Sequence, residues 1–171
     1  MPRPFPPRRS AAPPPDPASA GLTFAIGRLP ISWGRGSTCV ARGFDAVLFV
    51  DVDSYTAATG FALTAEQQLA FNQGLAAAAR ARGLAAGIVN DLAQASQLAP
   101  AFDFVVADRC VAEGDCAGVQ PFLAAGKPAY LVGYTIRPAQ MNAYCATAAA
   151  LGAPLILKTM SLNGKLHRRC G

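Results

Sequence analysis

Gly43-Phe44-Asp45-Ala46-Val47-Leu48-Phe49-Val50-Asp51-Val52-Asp53-Ser54-Tyr55 is the stretch on which the reading of the fold turns. Ala46 to Val50 is a continuous apolar run, bounded by Asp45 and by the polar Asp51-Val52-Asp53-Ser54. It is short and apolar on both faces, which is the pattern of a buried parallel strand. The acids stand where that strand would end. In α/β folds, ligands bind at the carboxyl ends of parallel strands, so Asp51 and Asp53 are site candidates by position. On pattern alone, an Asp after a strand is more often a turn former or a helix N-cap.

The same layout recurs downstream. Leu84 to Val89 runs into Asn90-Asp91, and Phe102 to Ala107 runs into Asp108. Pro128 to Val132 runs into Gly133-Tyr134, and Pro154 to Leu157 runs into Lys158-Thr159. Helix-forming sequence follows each run. Thr64-Ala65-Glu66-Gln67 reads as a capping box, with Thr64 as N-cap, opening an Ala- and Leu-rich helix to Arg82 that Gly83 stops. Leu92–Leu98, Ala117–Ala125 and Pro138–Leu151 are further helices, the last closed by Gly152. A final short helix is expected over Leu162–Arg169. Repeating βα units call for a parallel sheet with right-handed crossovers. The pattern fits the second half of a (β/α) barrel or a small doubly wound sheet.

Composition bounds the function. A chain of 171 residues, 52% hydrophobic and 15% charged, suits one domain with a substantial core. No apolar run approaches the ~20 residues of a membrane helix. In residues 1–43, six Arg against one Asp account for all of the +5 charge. Residues 44–171 carry nine basic and nine acidic groups and are neutral. Nucleic-acid binding is therefore disfavoured. No Gly-x-Gly-x-x-Gly or Walker loop follows a strand, so nucleotide binding is not indicated. His167 is the sole His and no Cys-x-x-Cys exists, so zinc lacks ligands. Neither metal nor cofactor is expected. The five Cys (Cys39, Cys110, Cys116, Cys145, Cys170) fit two disulfides with one thiol left over, or five reduced thiols.

Residues 1–20 hold eight of the fourteen Pro and read as a disordered Pro/Arg-rich tail. No 7–15-residue apolar segment follows its arginines, so it is not a secretory signal. Residues 21–43 read as an irregular lead-in, with a possible strand at Leu22–Ile26 and the lone Trp33.

Several stretches, taken together, resemble glycoside hydrolase family 114, the endo-α-1,4-polygalactosaminidase type. They include Gly43-Phe44-Asp45-Ala46-Val47, Val52-Asp53-Ser54-Tyr55 and Thr59-Gly60-Phe61-Ala62-Leu63-Thr64. Gln68-Leu69-Ala70-Phe71-Asn72, Arg82-Gly83-Leu84, Asn90-Asp91 and Phe102-Asp103-Phe104 continue the match. Cys110, Gly114-Asp115-Cys116, the run Pro121 to Pro128, Ile156-Leu157-Lys158 and Arg168-Arg169-Cys170 complete it. The match is collinear over about residues 40–171.

The resemblance implies the C-terminal part of a (β/α)8 TIM barrel, about five βα units over residues 44–171, truncated at its N-terminal side. It implies a secreted enzyme that cleaves α-1,4-galactosaminan-type polysaccharide with two carboxylates. It also implies the pairings Cys110–Cys116 and Cys145–Cys170, and substrate contacts from Tyr55, Asn90, Asp91, Tyr134 and Lys158. Unpaired barrel edges would invite self-association.

The departures from the family pattern carry as much meaning. One expected catalytic carboxylate falls on Val50, and an expected Glu falls on Asp108, one methylene shorter. A glycosidase needs two carboxyl groups, about 5–5.5 Å or about 6.5–9.5 Å apart by mechanism. Val50 can serve as neither, so Asp53 or Asp51 would have to join Asp108. Strand alternation would point Asp51 away from the face of Val50. The sequence therefore predicts weak hydrolysis, or carbohydrate binding without catalysis.

Overall fold

In the computed structural model, residues 39–135, 137–162 and 167–170 are described. The tail over 1–20, the strand expected at Leu22–Ile26 and Trp33 lie outside them. Six strands form one sheet in sequential order. They are β1 (Ala46–Phe49), β2 (Ala85–Val89), β3 (Phe104–Asp108), β4 (Ala129–Tyr134), β5 (Leu155–Lys158) and β6 (Arg168–Cys170). β1 to β5 are parallel, in the order the apolar runs predict.

The crossovers carry α1 (Ala65–Ala81), α2 (Ala95–Leu98), α3 (Cys110–Glu113), α4 (Gln120–Ala124) and α5 (Pro138–Leu151). Thr64 and Gln67 form the expected reciprocal cap on α1, with bonds of 3.2 Å and 3.0 Å. Gly152 ends α5 at φ 68°, a left-handed position that glycine takes without strain. The helices cover one face of the sheet. There Leu75, Ala76 and Ala79 of α1 join Ala86, Ile88, Val105, Leu131 and Leu155 in one buried cluster. The other face is less covered, as the alternating burial of β4 shows.

The amino-terminal end of the sheet is tied by charge. Asp103 receives the Ala86 N–H at 2.8 Å and pairs with Arg80 at 3.0 Å. The Lys127 ammonium donates to the carbonyls of Ala99 and Phe102 at 2.5 Å and 2.6 Å.

Two expectations need correction. Arg168–Cys170 is not helical. It forms β6, antiparallel to β5, with Ile156 opposite Arg169. The free edge of β5 supplies ladder partners that a short helix there would forgo. β1 is also not buried on both faces. Leu48 is 43% and Val50 56% exposed, because among the described residues only β2 pairs with this strand.

Both family-type disulfides are present, Cys110–Cys116 with Cα atoms 4.7 Å apart and Cys145–Cys170 at 5.2 Å. Cys39 is free. The second bond ties β6 to α5 across 25 residues. A loop of that length is stabilised by about 3 kcal/mol when closed. Cys145→Ser should therefore lower the thermal midpoint under non-reducing conditions. Cys39→Ser should leave it unchanged in the same melt.

Candidate active site

The strand exits share a backbone signature. Asp51 after β1, Asn90 and Asp91 after β2, and Arg109 after β3 all adopt left-handed φ values between 51° and 68°. Asn and Asp enter this region at little cost because their short polar side chains bond locally. Arg109 has no such help, and its N–H instead donates to the Val132 carbonyl at 2.9 Å. These turns end the strands abruptly and bring the next side chains to the sheet's carboxyl edge.

There they border an open cleft of about 190 Å³, smaller than the ~300–1,000 Å³ of drug-sized ligand sites. Its walls carry Asp53, Tyr55, Asn90, Asp91, Asp108, Glu113 and Asp115 and, among the described residues, no basic side chain. Asp53 precedes a single helical turn, Ser54–Thr56, that presents Tyr55. The Tyr55 hydroxyl donates to Asp91 Oδ1 at 3.0 Å. Asp91 Oδ2 accepts from Asn72 Nδ2 at 2.9 Å, and the same amide donates to the Val52 carbonyl at 2.9 Å. Gln68 Nε2 completes the chain by donating to Asn72 Oδ1 at 3.0 Å. Asp91 is 4% exposed and Asn72 fully buried.

Burial pushes the Asp91 carboxyl above its ordinary pKa. The charge of Asp53 adds to that rise, and the bonds from Tyr55 and Asn72 oppose it. Burial and the bond to Asp91 raise the Tyr55 hydroxyl to about 12.

Asp108, the last residue of β3, is fixed through its backbone. Its N–H donates to Asn90 Oδ1 at 2.8 Å. Its Oδ2 lies 3.8 Å from Arg109 Nε, while its buried Oδ1 has no hydrogen-bond partner among the described residues. Tyr134 ends β4 facing Asp108, and burial followed by that carboxylate raises its hydroxyl pKa.

The cleft thus gathers Asp53, Tyr55, Asn90, Asp91 and Asp108, with Tyr134 beside Asp108. Asp51 and Lys158 do not line it. Asp51 takes φ 56°, which breaks the strand alternation, and its carbonyl accepts from the Ser54 hydroxyl at 3.4 Å. Val50 is exposed just beyond β1 and also stands outside the lining. Sequence reasoning missed Glu113 and Asp115, and it gave no role to Gln68 and Asn72. Their signal was present: two amides spaced i, i+4, followed on the same helix by the apolar Leu75, Ala76 and Ala79.

Parallel strands in sequential order, acids at their carboxyl ends and helices on one face define a glycoside-hydrolase-like (β/α) barrel. The description Glycoside-hydrolase family GH114 matches residues 33–171, and the chain belongs to that family. A similar solved structure is that of Ega3 from Aspergillus fumigatus in complex with galactosamine. It has a TM-score of 0.73 and 25% identity, and the match covers 80% of this chain and 58% of that one. The chain therefore spans less than two thirds of that neighbour's length. No curated protein sequence matches the chain.

Two predictions follow from the buried network. Asn72→Ala strands Asp91 Oδ2, the Val52 carbonyl and the Gln68 amide together, and unsatisfied buried groups cost about 1–3 kcal/mol each. The variant should unfold at distinctly lower urea than wild type. The other concerns pH. The folded chain holds the Asp91 proton to higher pH than the unfolded chain does. That contribution is fully present below the unfolded pKa of about 3.9 and is lost as pH rises through the higher folded value. Asp91→Asn cannot ionise, so its stability relative to wild type should increase as pH rises above about 4 in paired melts.

Proposed function

We propose that the chain acts on α-1,4-galactosaminan-type polysaccharide, binding amino-sugar units in the cleft and hydrolysing them slowly. The observation that carries this reading is the lining itself: five carboxyl groups and, among the described residues, no basic side chain, Arg109 standing beside Asp108 outside it. A de-N-acetylated amino sugar carries an ammonium, and several carboxylates in a confined cleft attract it strongly. A neutral hexose or an N-acetylated unit gains nothing from that field. Family membership and the galactosamine held by Ega3 support the same ligand class.

Asp108 is the proton donor in this proposal. Its buried Oδ1 has no hydrogen-bond partner among the described residues, and glycoside cleavage needs an acid at the leaving oxygen. Asn90 fixes the Asp108 backbone, Tyr134 flanks its carboxyl, and Asp53 offers a carboxylate to the sugar. Lys158 and Asp51 are not among the lining residues and take no part in this proposal. Slow turnover follows from Val50, where the family pattern has a carboxylate. A positioned acid or base contributes roughly 10²–10⁴-fold. A second reading, binding without hydrolysis, is favoured by that same valine.

Calorimetry and a reducing-end assay with α-1,4-linked galactosamine oligomers test both readings. Free-amine oligomers should bind more tightly than N-acetylated ones, with affinity falling as salt rises. Asp108→Ala should abolish release of reducing ends, and Val50→Asp should raise it by roughly 10²-fold or more. Equal affinity for N-acetylated oligomers would overturn the amino-sugar assignment. Binding without turnover in wild type would leave the second reading.

A further inference from the structure

Tyr55 and Asp91 form a hydrogen-bonded pair in the wall of the cleft, and the acid-donor role of Asp108 leaves that pair without a task. Asp91 sits at the exit of β2 and Asp108 at the exit of β3, strands that are neighbours with Val89 opposite Val106. The two acids therefore leave the sheet at the same level, on strands about 4.7–4.9 Å apart. Asn90 joins the two exits through the Asp108 N–H. Tyr55 and Asp91 both line the cleft, Tyr55 half-buried and Asp91 only 4% exposed, so the phenol is the more accessible member of the pair.

Resting on the amino-sugar reading of the cleft, we infer that Tyr55 backed by Asp91 is the base of the reaction, replacing the carboxylate absent at position 50. Tyr55 is then the catalytic residue, and Asp91 and Asn72 are positioning residues, Asp91 also receiving the proton. The oxygen of a water attacks the anomeric carbon while the bond from that carbon to the leaving oxygen breaks. The water gives one proton to Tyr55 Oη as the Tyr55 hydroxyl proton passes to Asp91 Oδ1, along the existing 3.0 Å bond. Asp108 gives its proton to the leaving oxygen. The products are a new reducing end and a free hydroxyl. Exchange with solvent then removes the proton from Asp91 and returns one to Asp108. A single displacement of this kind inverts the anomeric configuration.

The surroundings suit the roles. The charged and titratable groups near Asp91 are Tyr55 and Asp53 on one side, Asp108 across the strand pair, and Glu113 and Asp115 on the far wall, with Arg109 beyond Asp108. α1 presents only the neutral amides of Gln68 and Asn72. A carboxylate surrounded mostly by acids and buried by apolar packing is a stronger base than a solvated one. A phenol held at about 12 stays protonated, so it can pass a proton on rather than stand as a phenolate.

The test uses the full chain with α-1,4-linked galactosamine oligomers, measuring kcat, KM, calorimetric affinity and, by NMR, the anomer first released. Tyr55→Phe, which keeps the ring, should lower kcat roughly 10²-fold or more while affinity is preserved. Asp91→Asn, which cannot take up the proton, should lower kcat by a similar factor while affinity is likewise preserved. Undiminished kcat in Tyr55→Phe, a retained anomer, or an oligomer that binds wild type and is never cleaved would each overturn the inference. Failure of the oligomer to bind at all would instead overturn the amino-sugar reading on which it rests.

Discussion

A single buried amide holds this end of the molecule together. Asn72 lies within α1, fully buried, and its Nδ2 donates to both the Val52 carbonyl and the Asp91 carboxylate. It therefore joins three segments that diverge from one another: the exit of β1, the exit of β2 and the helix between them. No apolar residue could do this, because the two acceptors would be left without donors in a place that water does not reach. Gln68 fixes the other end of the amide and so settles which way it faces. With this bridge in place, Tyr55 has a defined acceptor and the cleft has one of its walls.

Much of the architecture could be read directly. Short apolar runs ending in polar residues marked β1 to β5, because a parallel strand flanked by helices must be apolar throughout. Thr64 and Gln67 marked the start of α1 through chemistry local to four residues. β6 could not be read this way. Arg168-Arg169-Cys170 has no alternation, and its extended form comes from the edge of β5 and the bond to Cys145, both distant in sequence. The exposure of Leu48 was hidden for a related reason: an apolar run records what a strand tolerates, not how many neighbours it has.

The site was legible in position but not in environment. Asp53, Asn90, Asp91 and Asp108 were all expected at strand ends. That Asp91 is buried while Asp51 is exposed depends on a partner 19 residues away and on one backbone angle. Neither is a property of the local sequence. The departure from the family pattern at Val50 could be read from the sequence alone. The contact between Tyr55 and Asp91 emerged only in the fold.

Because each strand pairs only with the strand next to it in sequence, the sheet can be laid down in the order in which the chain is made. β2 docks on β1 as soon as α1 has emerged, and every later unit finds its template already standing. Contacts of this kind ask for short loop closures one after another, not one long search. The two disulfides fit the same timetable. Cys110 meets its partner six residues later, whereas Cys145 must wait 25 residues for Cys170. During that interval Cys145 is a thiol without its mate in a chain that also carries Cys39. The order of synthesis therefore sets a brief window in which Cys39 is available to Cys145 and Cys170 is not.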